Sequence, residues 1–265
     1  MSTSSRSLAP DLRPLLVCRL ECPTRMQADV DGWMPKHFDD SLMDPLVTSA
    51  HNYRVLRDFR PLRDGGLPWT FNGHGNRFIV YVYDNVEGIV PFIDGPDVRA
   101  AIGDGEEREG QYPPLDDEAF NGVVYTVRAM RGATGADVAG AGPILVERFE
   151  VGGLDEAPAF DAWLDGAHLD AAAALPGVVR ARTFEAYRDM PRRFPHDRYL
   201  GKGDRMIWLE LGAGTDARAW VGGPGVRAWL EESVGWDIRL PYVRRELAEH
   251  LLTRTRAQAL EARHG

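Results

Sequence analysis

The spacing of apolar residues along the chain switches repeatedly between a two-residue and a helical period. LLVCRLEC (15–22) is a short β-type run, and VDGWMPKHFDDSLMDPLV (30–47) has helical spacing with acidic residues early. HNYRVLRDFRPL (51–62) is predicted as a strand and Asp64-Gly65-Gly66 as a loop. NRFIVYVY (76–83) is a second β-rich run, NVEGIVPFIDGPDVRAAI (85–102) a less regular helix and NGVVYTVRA (121–129) a closing strand. From ILVERFEV (144–151) to WDIRLPYVRR (236–245) the order β-α-β-β-α-β is predicted a second time. The end, VRRELAEHLLTRTRAQALEARHG, is predicted as a helix of mixed charge.

The two passes also share residues. GPDVRA at 95–100 and GPGVRA at 223–228 differ at one position and lie at an offset of 128. Leu15–Glu21 matches Ile144–Glu150, Trp33 and His37 match Trp163 and His168, and Gly75-x-Arg77 matches Gly203-x-Arg205. Arg57-x-Phe59 matches Arg182-x-Phe184. Matches in one order at a nearly constant offset are the signature of a duplication. The predicted organisation is a disordered tail (1–14), a first repeat (15–129), a Gly/Ala linker (130–143), a second repeat (144–245) and a C-terminal helix (246–265). The linker, fully extended, reaches roughly 45 Å, enough to set the halves side by side or back to back.

Each pass has the order of the split βαβ, or ferredoxin-like, unit: a four-stranded antiparallel sheet with two helices on one face. Its other face is left bare, and two copies in one chain can cover each other and close the sheets into a barrel. The predicted fold is therefore α+β, two tandem ferredoxin-like units forming a pseudo-dimeric α+β barrel.

Composition narrows the function. With 44% hydrophobic and 27% charged residues, the chain has ordinary globular material. A net charge of −9 with no basic block argues against nucleic-acid partners and against an anionic membrane surface. No apolar run is long enough to span a bilayer, and the polar, Pro-containing start lacks a signal-peptide core. Cys18 and Cys22, roughly 13 Å apart on a strand, cannot bridge each other. The expected location is the reducing cytoplasm, with neither a disulfide scaffold nor a zinc site.

The second pass, AFDAWLDGAHLDAAAALPGVVRARTFEAYRD followed by RMIWLEL, resembles the dimeric α+β barrel superfamily. The likeness is to its EthD-like and antibiotic-biosynthesis-monooxygenase-like branches. It rests on Trp163, His168, the Pro176-Gly177-Val178 turn, Arg180 and Arg182. The first pass departs from it, with Trp33 and His37 four residues apart rather than five, Pro35 between them and Leu46-Val47-Thr48 in place of the Pro-Gly turn. The resemblance implies a cavity between the helices and the sheet of each half. Members use it for cofactor-free oxidation, cyclisation, isomerisation or dehydration, or for haem binding.

His37 and His168, each one helical turn from an indole, are the candidate acid/base residues. Partial burial is expected to lower an imidazole pKa below ~6.5 and leave it a neutral acceptor. Tyr81 is the third candidate catalytic residue, as a phenol able to donate to developing negative charge. Trp33, Trp163, His51, Tyr53, Tyr83, Arg57 and Arg182 are candidate substrate-binding residues. Tyr81 and Tyr83 correspond to Leu209 and Leu211, and Val80 and Val82 to Trp208 and Glu210, so the halves differ in where their polarity lies. The first half is therefore expected to hold the reactive site. Arg148/Glu150, and Arg19/Glu21 in the first pass, each share a strand face and are expected to form ion pairs across the barrel. Gly212-Ala213-Gly214-Thr215-Asp216-Ala217 has dinucleotide-loop spacing, but its counterpart lacks the glycines and no parallel βαβ unit surrounds it.

The function expected is a cofactor-independent enzyme acting on a hydrophobic aromatic or polyketide-like small molecule. It would work as a monomer whose halves pair as a pseudo-dimer, or as a homodimer. The alternatives are a haem protein with His37 or His168 as axial ligand and a non-catalytic small-molecule-binding protein.

Overall fold

Eight strands carry the apolar runs: β1 (Leu15–Leu20), β2 (Val47–Val55), β3 (Arg77–Tyr83), β4 (Phe120–Gly132), β5 (Ile144–Glu150), β6 (Val178–Ala186), β7 (Arg205–Leu211) and β8 (Tyr242–Thr255). They close into a barrel in the order β1-β3-β2-β8-β5-β7-β6-β4, with antiparallel neighbours throughout. One half of the wall thus reads β4-β1-β3-β2 and the other β8-β5-β7-β6, joined at the β2–β8 and β4–β6 seams. This arrangement comes from a computed structural model, which describes residues 8–20, 22, 24–56, 76–87, 89, 120–135, 141–187, 203–237, 239–240 and 242–264. Arg57, the Arg19 side chain, Glu21, the GPDVRA stretch and linker residues 136–140 lie outside the described residues.

Alternation along each strand sorts side chains between lumen and exterior. Leu15, Val17, Tyr53, Phe78, Val80, Tyr125, Val146, Phe184, Met206 and Trp208 fill the lumen in one apolar cluster. Opposite-parity residues face outward into two helical layers. Over the first half, α1 (Gln27–Ser41) places Met34 and Phe38 on Leu16, Cys18, Tyr81 and Tyr83. The C-terminal α7 (Arg256–His264) adds Ala259 to the same layer. Over the second half lie α2 (Ala157–Trp163), a π-type turn (Leu164–His168), α3 (Leu169–Ala173), α4 (Ala217–Val221), α5 (Pro224–Glu232) and α6 (Val234–Asp237). No helix among the described residues is long and apolar enough to cross a membrane.

Local chemistry explains the joints. Gly223 and Pro224 open α5 at its N-cap and first position, the helix start expected from GPGVRA. The Pro176-Gly177 turn into β6 needs the positive φ of Gly177 (83°), a conformation a side chain would strain. The dinucleotide-like stretch is a helix cap: Asp216 accepts from the backbone of Arg218 and Ala219 at 3.0 and 3.1 Å, and every strand pair is antiparallel.

Three expectations are corrected. The segment 246–265 is not one helix, because β8 runs to Thr255 and only Arg256–His264 is helical. This strand is buried on both faces, with Glu246 and Ala248 towards the lumen and Arg245 and Leu247 outward, which erases the apolar/polar alternation. β4 likewise continues to Gly132, into the expected linker. Finally, the recurring Arg-x-Phe tripeptide does not give the counterpart of Arg182. The β2–β3 register pairs His51 with Val80, as β6–β7 pairs Arg182 with Trp208, so Arg182 corresponds to His51.

Candidate functional site

Adjacent charges in an apolar strand imply one on each face, and β5 bears this out. Lumen-facing Arg148 pairs with Glu246 at 2.9 Å, on the neighbouring strand β8 rather than across the barrel as expected. Glu150 accepts instead from the backbone N–H of Gly203 at 3.2 Å. Outward-facing Glu147 meets Arg245 of β8 and His168 of the helical layer.

The two helical layers treat their histidines differently. In the second half, His168 is 0% exposed and its Nε2 lies 3.0 Å from Glu147 Oε2. Its ring is stacked between Trp163 at 4.2 Å and Trp229 at 4.5 Å. Phe160 and Trp236 close against Trp163, at 5.4 and 5.9 Å. The space beside Trp163, where the resemblance implied a cavity, is therefore filled by protein rings. Burial works to raise the Glu147 pKa, but the charge of Arg245 and the hydrogen bond from His168 outweigh it and hold the carboxyl below its ordinary value. Arg245 continues the network to Asp237 at 2.8 Å and to the Ser233 hydroxyl.

In the first half, His37 is half-buried and packs on Trp33 at 4.3 Å. Its Nε2 lies 2.7 Å from the Tyr81 hydroxyl on β3. Burial is the main cause that pushes the Tyr81 pKa up, so the phenol keeps its proton, and it donates to His37 Nε2 in the tautomer that carries the imidazole proton on Nδ1. Tyr83 and Cys18 lie in the same layer, the Cys18 thiol pushed up to about 12 by burial. The Phe38 ring lies 6.2 Å from that of His37, and the Ser41 hydroxyl donates to the His37 carbonyl at 2.8 Å and is a hydrogen-bond partner of Tyr81.

The same ring pair is built with different spacings. Trp33 and His37 are four residues apart in a regular helix, whereas Trp163 and His168 are five apart across the π-type turn. A π turn takes up one extra residue, so both spacings bring the rings onto one face.

Of the remaining candidates, His51, Tyr53 and Arg182 face the lumen, on the other side of the sheet from His37. His51 Nε2 and Nδ1 lie 3.0 and 2.9 Å from the hydroxyls of Ser49 and Thr253. Burial foremost, with nearby His250, Arg182 and Arg180, lowers its pKa to about 3. The structure thus joins His37, Trp33, Tyr81 and Tyr83 in one layer, His168 and Trp163 in another, and His51, Tyr53 and Arg182 in the lumen. Sequence reasoning missed Trp229 and Arg245, the partners that close the second layer. The Glu147–Arg148 pair of charges within an apolar strand was the available signal.

The Nε2 atoms of His37 and His168 both lie in hydrogen bonds. Among the described residues no group of His, Cys, Asp and Glu is arranged to hold a metal ion. A groove of about 450 Å³ is lined by Thr126, Val151, Ala157, Glu185 and Arg205 among others, and neither histidine borders it. Of its groups able to take a proton, Glu185 and Tyr187, Glu185 is tied to Arg128 at 2.8 Å.

No family model matches the chain, and no curated protein matches it in sequence. Solved structures do match in fold. An anthrone oxidase-like protein superposes with a TM-score of 0.57 at 13% identity, over 96% of this chain and 97% of its own. A provisionally named monooxygenase of Fusobacterium nucleatum subsp. nucleatum gives 0.57 at 8% identity, over 92% and 94%. Another such protein, from Lactobacillus acidophilus, gives 0.51 at 12%, over 92% and 97%. At these identities the likeness is one of fold: an eight-stranded barrel shared with monooxygenase-like α+β proteins.

Proposed function

We propose that the chain is a cofactor-independent enzyme whose reactive site is the His37–Tyr81 pair, acting on a hydrophobic aromatic or polyketide-like molecule. The observation that carries this reading is the hydrogen bond between an imidazole and a protonated phenol in an apolar layer. As the Tyr81 oxygen takes a proton from an activated C–H or phenolic O–H of the substrate, its own proton passes to His37 Nε2. A concerted relay avoids a free tyrosinate, which burial makes costly. The product is a delocalised carbanion or phenolate, the species that opens oxygenation by O₂, cyclisation or isomerisation.

The side chains replaced between halves support the same assignment. Where the second layer has Glu147 opposite Arg245, the matching register pair in the first is Cys18 opposite Gly122. Where it has Trp229 within GPGVRAW, the matching residue of GPDVRAA is Ala101, which lies outside the described residues. The charge at the Glu147 position is removed, and a phenol is added where the second half has Leu209. On this reading the halves are a tandem duplication in which one copy keeps the chemistry and His168 is structural. The likeness to an anthrone oxidase-like protein adds a substrate class, tricyclic hydroxyaromatic ketones with an acidic C–H.

The test is O₂ uptake with an anthrone-type tricyclic substrate, without added metal or flavin. Wild type and His168→Ala, normalised for folded protein, are expected to turn over. His37→Ala is expected to lose about 10²–10⁴-fold, the usual contribution of a positioned acid/base. Equal activity in all three proteins, or loss only in His168→Ala, overturns the assignment.

A further inference from the structure

Inside the barrel, on the opposite side of the sheet from His37, lies a polar cluster the proposed reaction does not use. Arg182 on β6 and Trp208 on β7 are register partners facing the lumen. Tyr53 meets them from β2, its ring edge-on to the Trp208 indole at 5.9 Å. All three side chains are fully buried.

Their hydrogen bonding is incomplete. Arg180 donates through Nε and Nη2 to the two oxygens of Glu210, each at 2.9 Å. Arg182 donates through Nη2 to Glu210 Oε1 at 2.8 Å. Arg182 Nε and Nη1, Trp208 Nε1 and the Tyr53 hydroxyl have no hydrogen-bond partner. Buried donors are rarely left unpaired, because each forfeits its hydration without replacement.

Charge points the same way. Arg180 and Arg182 both converge on Glu210, and Arg182 keeps two guanidinium N–H groups, on Nε and Nη1, without an acceptor. His51 is neutral at pH 7 and Tyr53, its pKa raised by burial, keeps its proton. Water answers this arrangement poorly. A bound water accepts two hydrogen bonds and must also place its own two protons, yet of the three side chains only the Tyr53 hydroxyl can accept one. An anion accepts from all of them and faces the Arg182 guanidinium directly.

We propose that the barrel lumen holds a small monovalent anion, such as chloride, bound by Arg182 Nε and Nη1, Trp208 Nε1 and the Tyr53 hydroxyl. The site is separate from the His37 layer and does not depend on the reaction assigned there. In crystals grown in sodium bromide, an anomalous peak is expected within hydrogen-bond distance of these three side chains. In solution at constant ionic strength, replacing gluconate with bromide should raise Tm by roughly 3–5 °C per tenfold step above Kd. Tyr53→Phe should weaken apparent bromide affinity about tenfold, the worth of one hydrogen bond, and Arg182→Met, which leaves Glu210 balanced by Arg180, should abolish the bromide effect. A lumen filled only by water or side chains in the bromide crystals overturns the proposal. So does a bromide response equal in wild type and Tyr53→Phe, a comparison that stands even if Arg182→Met does not fold.

Discussion

His37 and His168 occupy equivalent places in the two helical layers, each stacked on a tryptophan one turn away, yet their surroundings differ in kind. His168 is closed in by Trp229 and bound to Glu147, which is in turn held by Arg245. His37 is half-buried and meets a neutral phenol. A histidine beside a buried carboxylate, with no exposed edge, is part of the packing. On the proposed reading, one that shares a hydrogen bond with a phenol has a proton path.

The comparison is most directly broken by measuring activity and stability on the same variants. His37→Ala is expected to lower kcat/KM by about 10²–10⁴-fold while costing about 1 kcal/mol of stability. A loss of stability equal to that of His168→Ala would erase the distinction. Glu147→Ala is expected to cost about 3–5 kcal/mol in urea unfolding, because Arg245 and His168 lose their shared buried partner. Cys18→Ala, at the matching register position, should cost about 1 kcal/mol. Tyr81→Phe is expected to lower kcat about tenfold, with a smaller change in KM, since His37 must then reach the substrate proton without its relay.

A separate effect concerns pH. The folded pKa of His51, about 3, lies below its ordinary ~6.5, so between these values the unfolded chain binds a proton that the folded one refuses. Stability should therefore fall as pH falls from about 6.5 towards 3. Glu147, with its folded pKa below the ordinary carboxylate value, adds to the loss at the acid end. His51→Asn should flatten the upper part of that slope, measured as Tm against pH. An unchanged slope would place the titrating group elsewhere.

Much of the barrel could be read from the chain because β1, β3, β5 and β7 are short apolar runs bounded by turns. The last strand was legible only at its start, in YVRR, since alternating lumen and layer contacts give the rest, ELAEHLLTRT, a helix-like spread of leucines. The His37–Trp33 and His168–Trp163 pairings were visible as local spacings. The Tyr81 contact needed the register of β3 against α1, which no local pattern encodes. Arg182-x-Phe184 shows the opposite hazard: it repeats the letters of Arg57-x-Phe59, yet the strand register makes His51 the counterpart of Arg182. The lumen cluster was hidden for a related reason: Tyr53, Arg182 and Trp208 come from three strands and meet only once the barrel closes.

The turn between Leu164 and His168 has one more consequence. By taking up an added residue within a single loop of backbone, it uncouples helix length from ring placement, so an insertion here leaves the stacked pair intact. Deleting Gly166 should let the segment wind as an ordinary helix, with His168 still against Trp163. The histidine would keep its place with either number of residues leading up to it.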